Sequence, residues 1–384
     1  MQKRMTVMAL LTSAVAIAAA ACSSSSTSSN PSSGSSTAAQ TSDADGVAAA
    51  RAFLAQAETA PTSIGITTPL LRRPTPGKLI VNLVIPTPDA QVTSNDQAQA
   101  VAAIGWKYKT ITIGPQANGI QTAFEAALAL KPAPFGISIV AYPRSEIQAQ
   151  LKEAQSKGVV VVDSSTTDPV APPIIANLND AADQVSTGET LAAEVVASSD
   201  GNAHVATFTL SAFPLQAAMV DNFNIWLKKW CPACTNTVVN QQLTDIGTTT
   251  PQSVVSTFEA NPSLQYALYS FGDMSLGVDA ALKTAGLLGK VKQIGPAPTL
   301  QDLADLRNKI ALAWLGYDNE VSAWRIVDFF ARASEGQSLS SVINVPLPAQ
   351  LLTQQNIGSM VTDPEGYYLA PKDYQAQFEK LWNV

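Results

Sequence analysis

The sequence predicts an α/β protein built as two similar doubly wound parallel-sheet lobes, and three observations predict it. From about Lys78 onward, short apolar β-branched runs alternate with amphipathic stretches. Each strand-plus-helix unit takes roughly 25 to 30 residues, the size of a βα repeat with a right-handed crossover. The units form two series separated by a break, on a folded body of roughly 300 residues, more than one hydrophobic core usually serves.

The chain opens on segments without strands. Residues 1–21 read as a lipoprotein signal peptide: Lys3 and Arg4 give a basic start, residues 8–21 are almost wholly apolar, and Ala19, Ala20 and Ala21 precede Cys22. The apolar run is shorter than the ~20 residues of a membrane-spanning helix, and Ser-rich sequence follows it. An uncleaved N-terminal anchor is the alternative. Cys22 resembles the bacterial lipobox cysteine, which implies acylation and tethering to the outer face of a membrane. Residues 22–45 then read as the acylated cysteine plus a disordered Ser-rich tether, because Ser, Thr, Ala, Gly and Pro cannot bury enough surface to offset the entropy of ordering. The folded body is expected to begin between Val47 and Lys78, with the proline-bearing residues 69–77 as a loop into the first strand.

Strands are expected at 79–85, 110–113, 136–141 and 159–162, and after an interval at 203–210, 237–243, 266–271 and 291–295. Amphipathic helices are expected between them, at 96–104, 119–130, 145–155, 181–197, 214–230 and 274–285. Continuous apolar strands such as Val159-Val160-Val161-Val162 suit a parallel sheet covered on both faces. Ligands of such sheets bind beyond the carboxyl ends of the strands. Two facing lobes turn that crevice into a cleft able to close by a hinge. The positions that matter are therefore 86–91, 142–145, 163–166, 211–213, 246–248, 272–274 and 296–299.

The formal charge is −7, and loss of a signal holding two of the 23 basic residues takes it to −9. That argues against nucleic acid or an anionic lipid surface as the main partner. Apart from Cys22 the cysteines are Cys231 and Cys234, in Trp230-Cys231-Pro232-Ala233-Cys234. In an exported chain they are expected to form a small local disulfide. A thioredoxin-like redox site would place the first cysteine at a helix N-terminus; here the pair follows a helical run and precedes a strand. The single histidine, His204, lies inside a predicted strand, which disfavours a Ser-His-Asp site, and no GxSxG elbow is present. One histidine and two disulfide-prone cysteines make zinc improbable, and no Gly-rich phosphate loop follows a strand. The expectation is no catalytic residue, no metal and no cofactor.

The order and spacing of units over residues 78–360 resemble the type I periplasmic sugar-binding proteins, the ribose- and galactose-type family that shares its fold with LacI-type repressor cores. Residues 159–163, ending on Asp163, resemble the strand whose terminal Asp binds sugar hydroxyls. Residues 270–277, with Gly272-Asp273, resemble the strand-end Asn-Asp that leads into a helix. Residues 179–188 resemble the segment after the first lobe crossover, and 320–336 the late helix that returns to the first lobe. The resemblance implies a three-crossing hinge, a first lobe of 78–177 with 317–342, and a second of 178–316 with 343–384. It implies a monomeric solute receptor of an ABC permease, exported, held to the membrane by its lipid alone, and taking a sugar or polyol.

On that resemblance Asp163 and Asp273 are expected to accept hydroxyls, with Asp89 and Gln91 as further partners. Tyr142, Phe213, Trp314 and Tyr317 are candidates for an aromatic wall, and Arg144 for the arginine that the family places where Met219 stands. Other family contacts are replaced too: the Asn before Asp273 by Gly272, a Gly-x-Asp by Gly295-Pro296-Ala297, a Gln by Gly316, and an aromatic pair by Asp89-Ala90. A site built on hydrogen bonds discriminates by which donors it holds, so ribose or galactose does not carry over. Two other readings remain: a ligand sensor for a membrane signalling protein, including recognition of an autoinducer-like polyol, and an exported hydrolase or thiol oxidoreductase.

Overall fold

A computed structural model describes residues 35–384, without the side chains of 35–43, Pro88 and Asp89. The signal peptide, Cys22 and the start of the tether lie outside the described residues. The strands are β1 Leu79–Val84, β2 Lys107–Thr112, β3 Gly136–Val140, β4 Val160–Ser164, β5 Ile174–Leu178, β6 His204–Thr209, β7 Thr235–Asn240, β8 Tyr266–Tyr269, β9 Lys292–Pro296, β10 Ala313–Tyr317 and β11 Ala349–Thr353. The helices are α1 Ser35–Ala57, α2 Pro88–Ala103, α3 Gly119–Leu128, α4 Gln148–Ser156, α5 Ala181–Ser198, α6 Pro214–Trp230, α7 Thr250–Ala260, α8 Val278–Thr284, α9 Leu300–Arg307, α10 Asn319–Ser334 and α11 Tyr374–Trp382.

The strands form two sheets, ordered β2-β1-β3-β4-β5 and β7-β6-β8-β9-β10-β11. Aligning β6 with β1 superposes the first five positions of one order on the other, so the two lobes repeat one topology. All pairings are parallel except β10 with β11. In each sheet the strand order reverses at the first strand of its series, which is where doubly wound sheets open a crevice.

Alternation along the strands supplies both faces of each sheet. Ile80, Val162 and Ala176 join one apolar cluster with α10, while Val81, Leu83, Ile137 and Val161 join another with α3 and α4. In the second lobe Val205, Leu268 and Leu315 face α5 and α6; Phe208, Tyr269 and Trp314 face α7 and α8. The edge strands β2 (KYKTIT) and β7 (TNTVVN) expose half or more of their side chains.

Three expectations need correction. First, residues 35–45 continue α1 rather than reading as a tether, and Val47, Ala50 and Leu54, farther along the same helix, bury against α5 and α6. Gly46 permits the contact, because a Cβ there would stand 1.9 Å from the Trp230 carbonyl oxygen. Second, the C-terminal segment 343–384 is split. β11 extends the second sheet, but Tyr374, Phe378, Leu381 and Trp382 enter the core of the first lobe, where Trp382 stacks on Trp324 with centroids 5.1 Å apart. Third, besides the three crossings expected at β5–α5, β10–α10 and α10–β11, the chain passes between lobes after α1 and again before α11.

A row of buried polar groups on α10 ties these passages down. Arg325 donates to the carbonyls of Val345 (2.9 Å) and Ile64, so one guanidinium holds two of the crossing segments. Arg332 pairs with Asp328 at 2.7 Å and donates to Thr68 O at 2.6 Å; the other Asp328 oxygen accepts the Trp382 indole N–H at 2.9 Å.

Cys231 and Cys234 are bonded and fully buried at the C-terminal end of α6, against the α1–α5–α6 cluster. Burial of both sulfurs leaves no exposed thiol for redox exchange. Among the described residues no helix is long and apolar enough to cross a membrane, and no group of His, Cys, Asp or Glu is placed to hold a metal ion.

Candidate functional site

The carboxyl ends of both sheets face each other across a cleft with about 830 Å³ of free space, its open mouth included. The first lobe contributes Ile85 and Thr87 after β1, Ala141 after β3, Ser165 after β4 and Asn179 after β5. The second contributes Leu210 after β6, Ser270 and Phe271 after β8, Pro296 and Ala297 at the end of β9, and Tyr317 closing β10. A second chamber of about 800 Å³ continues from it into the first lobe, sharing Ala90, Val140, Ser165, Asn179, Ala297 and Tyr317. Leu243 packs against apolar clusters of both lobes, so the lobes touch across the cleft as well as at the hinge.

Four of the strand-end residues are non-glycine yet left-handed: Ala141 (φ 65°), Ser165 (58°), Asn179 (53°) and Ala297 (53°). Each costs about 1 kcal/mol or more relative to ordinary backbone. The turn at each position is what presents the backbone and side chain to the cleft rather than letting the strand run on. Asn179 is fixed further by its neighbours: its carbonyl accepts from Gln184 Nε2 at 2.8 Å and its amide donates to Ser165 Oγ at 3.2 Å. In the second chamber Ser138 Oγ lies 2.9 Å from Asn82 Oδ1 and accepts from Gln97 Nε2 at 3.0 Å, while Tyr108 OH donates to Gln97 Oε1 at 3.1 Å. Side-chain amides held this way present fixed donors and acceptors to a ligand.

The predicted residues fall into two groups. Phe213 and Tyr317 line the cleft, Tyr317 with its hydroxyl against Thr187 on α5. Asp89 lies between the lining residues Thr87 and Ala90, its side chain outside the described ones. The others do not line either chamber. Asp163 shares the α3–α4 face of its sheet with Val161; it is 1 % exposed, accepts the Ser164 N–H at 2.8 Å, and burial raises its pKa well above the carboxylate range. Asp273 is likewise 1 % exposed, because the chain turns inward after Phe271 and leaves Ser270 and Phe271 on the wall. Trp314 alternates onto the core face of β10 and stacks on Tyr269. Gln91 is exposed on α2, donating to Asn95 at 3.1 Å. Tyr142 packs beside the α3–α4 cluster, and Arg144 is taken up by Ala171 O at 2.7 Å and by the Asp168 carboxylate at its peptide N–H. Asn179, Gln184, Gln216, Ser270 and the second chamber are not among the ligand contacts that the sequence leads one to expect, although 179–188 is expected as the crossover segment.

Burial raises several carboxyls toward neutral pH. Asp96, on α2 beside the lining Gln97, is pushed up to about 7 by burial first and then by Asp363, Asp318 and Glu365. Burial raises Glu194 and Asp302 to about 7 as well, with Glu58 adding to the first and Thr299 and Ser275 hydrogen bonds opposing it in the second. In the unfolded chain such groups titrate near 4. Between about pH 4 and 7 the native state thus binds protons that the unfolded state lacks, and the stabilisation present below that window is lost as pH rises through 7. Urea titrations are expected to place the unfolding midpoint higher at pH 5.5 than at pH 8; an unchanged or inverted order refutes these assignments.

No protein-family model and no curated protein matches the chain. Solved structures do. An ABC transporter solute-binding protein from Agrobacterium vitis with bound allitol aligns at 18% identity and TM-score 0.64, covering 74% of this chain and 97% of its own. A 5-methylthioribose transporter solute-binding protein from Thermotoga lettingae aligns at 16% and 0.66, covering 82% and 100%, and one from Mycobacterium smegmatis with bound glycerol at 14% and 0.67, covering 77% and 100%. Together with the paired sheet orders, these likenesses give the chain the two-lobed fold of the type I ABC-transporter sugar-binding proteins.

Proposed function

We propose that the chain is an extracytoplasmic solute-binding lipoprotein that captures a sugar or polyol between its lobes for an ABC permease, and that it performs no catalysis. The observation that carries this reading is the cleft itself: strand ends of both lobes, fixed amides and hydroxyls, and Phe213 and Tyr317 as aromatic surface. Hydroxyls need such donors and acceptors, and the apolar side of a sugar ring needs such a face. The structural neighbours, which include proteins solved with allitol, glycerol and 5-methylthioribose, support the ligand class. Ligand touching both lobes would shift the population toward the closed form, which is the form a permease distinguishes. Anchoring rests on the sequence around Cys22; labelled palmitate should enter the wild-type protein in cells and not C22S.

A thermal-shift panel of sugars, polyols, amino acids and short peptides tests the binding reading. A ligand at 100 times its Kd adds about 2.7 kcal/mol of stability. A selective rise with sugars or polyols is the expected outcome, and a response confined to amino acids or peptides overturns the ligand class.

A further inference from the structure

Both chambers mix polar and apolar groups, and they differ in where the large apolar side chains sit. In the first the second lobe gathers Leu210, Phe213, Leu215, Leu243 and Phe271 into one wall, with Asn179, Gln184, Gln216 and Ser270 elsewhere on the lining. The second is lined by Asn82, Gln97, Ser138, Ser164 and Asn319 among apolar strand residues. Among the described residues lining either chamber there is no Asp, Glu, Lys, Arg or His. The carboxylates that the sequence pointed to, Asp163 and Asp273, are buried away from the lining.

We infer that the ligand is a neutral amphipathic glycoside or similarly substituted polyol, whose hydroxylated head enters the amide-lined chamber and whose alkyl or aryl substituent lies against the Leu–Phe wall. This rests on the solute-binding reading above. A charged ligand would surrender hydration with no opposite charge among the described lining residues to replace it. A free sugar filling both chambers would turn part of its hydroxyls toward Leu210, Leu215 and Phe271 instead of toward Gln184, Gln216 and Ser270, and a buried hydroxyl without a partner weighs against binding. A substituent of a few carbons removes that mismatch and adds apolar burial. Leu243 places the same wall against the first lobe, so the substituent and the lobe contact share one apolar surface.

The test is calorimetric titration of the purified full-length chain with D-ribose, D-glucose and D-galactose, their methyl, butyl and phenyl glycosides, and glucuronate and glucosamine as charged counterparts. In at least one series affinity is expected to rise about tenfold or more from free sugar to butyl or phenyl glycoside, since a few buried carbons are worth that much. The charged counterparts are expected to bind more weakly than their neutral parent. Phe213→Ser should abolish the gain, so that butyl and phenyl glycosides bind this variant no more tightly than the free sugar does, and Phe213→Leu should restore most of it. Free sugars binding as tightly as their glycosides, or glucuronate or glucosamine binding best, overturn the inference and leave the sugar receptor standing. No binding by any probe, free sugars included, removes the receptor reading as well.

Discussion

Asp328→Ala is expected to lower the unfolding free energy by about 3–5 kcal/mol, the loss typical of breaking a buried ion pair from one side. Both partners of the Asp328–Arg332 pair are wholly buried on α10, so nothing from solvent replaces the missing carboxylate. Arg332 would keep its bond to Thr68 O but carry an uncompensated charge, and the Trp382 indole N–H would lose its acceptor. The damage therefore spreads to both chain ends, since Thr68 belongs to the N-terminal passage and Trp382 to α11. Asp328→Asn retains an acceptor for the indole and should cost less. Urea unfolding at unchanged m-value measures the loss, and protease nicking near α11 should appear before the global transition. A loss below about 1 kcal/mol would show that the pair is worth no more than an exposed one.

The second large effect is at Gly272. A Cβ there would stand 2.0 Å from the carbonyl oxygen of Ala297 and 3.0 Å from the Thr299 nitrogen, all of it backbone with no flexible side chain to yield. Gly272→Ala must part the loops after β8 and β9, which carry Phe271 and Ala297 on the cleft wall. Overpacking of this kind costs about 1–3 kcal/mol or more, and ligand affinity should fall with it because two wall segments move at once. Gly358→Ala is the control: nothing lies within 4 Å of its Cβ and its φ is ordinary, so stability should barely change. If Gly272→Ala behaves like Gly358→Ala, the close approach of the two loops is wrong.

The repeated βα rhythm was legible because most strands are buried on both faces and announce themselves as apolar runs, as Val159-Val160-Val161-Val162 does. β2 and β7 were placed a few residues off, since as edge strands they carry polar, exposed side chains that read as loop. β5 (IIANL), β10 (AWLGY) and β11 (AQLLT) are no shorter than strands that did stand out, but Asn, Gly, Gln or Thr interrupts each apolar run, and none is set off from its flanks by a clear βα spacing. The extra passages at both termini depend on packing between α1 and α6 and between α10 and α11, which no local pattern encodes. For the site, the loops were legible and the side chains were not. Position after a strand end follows from topology, but whether Asp163 or Ser165 faces the cleft depends on the left-handed turn at Ser165 and on which face of the sheet Asp163 occupies.

The seat of α1 decides how the molecule bears a load. Phe53 packs on Trp230 and Arg51 pairs with Asp200, so the helix is fastened to the second lobe before the chain reaches the hinge. With the chain tethered through Cys22 as proposed above, a pull from upstream of Ser35 would reach the second lobe first, through that helix. The second lobe would then be the held jaw of the clamp, carrying the Leu–Phe wall, and the first lobe the jaw that swings.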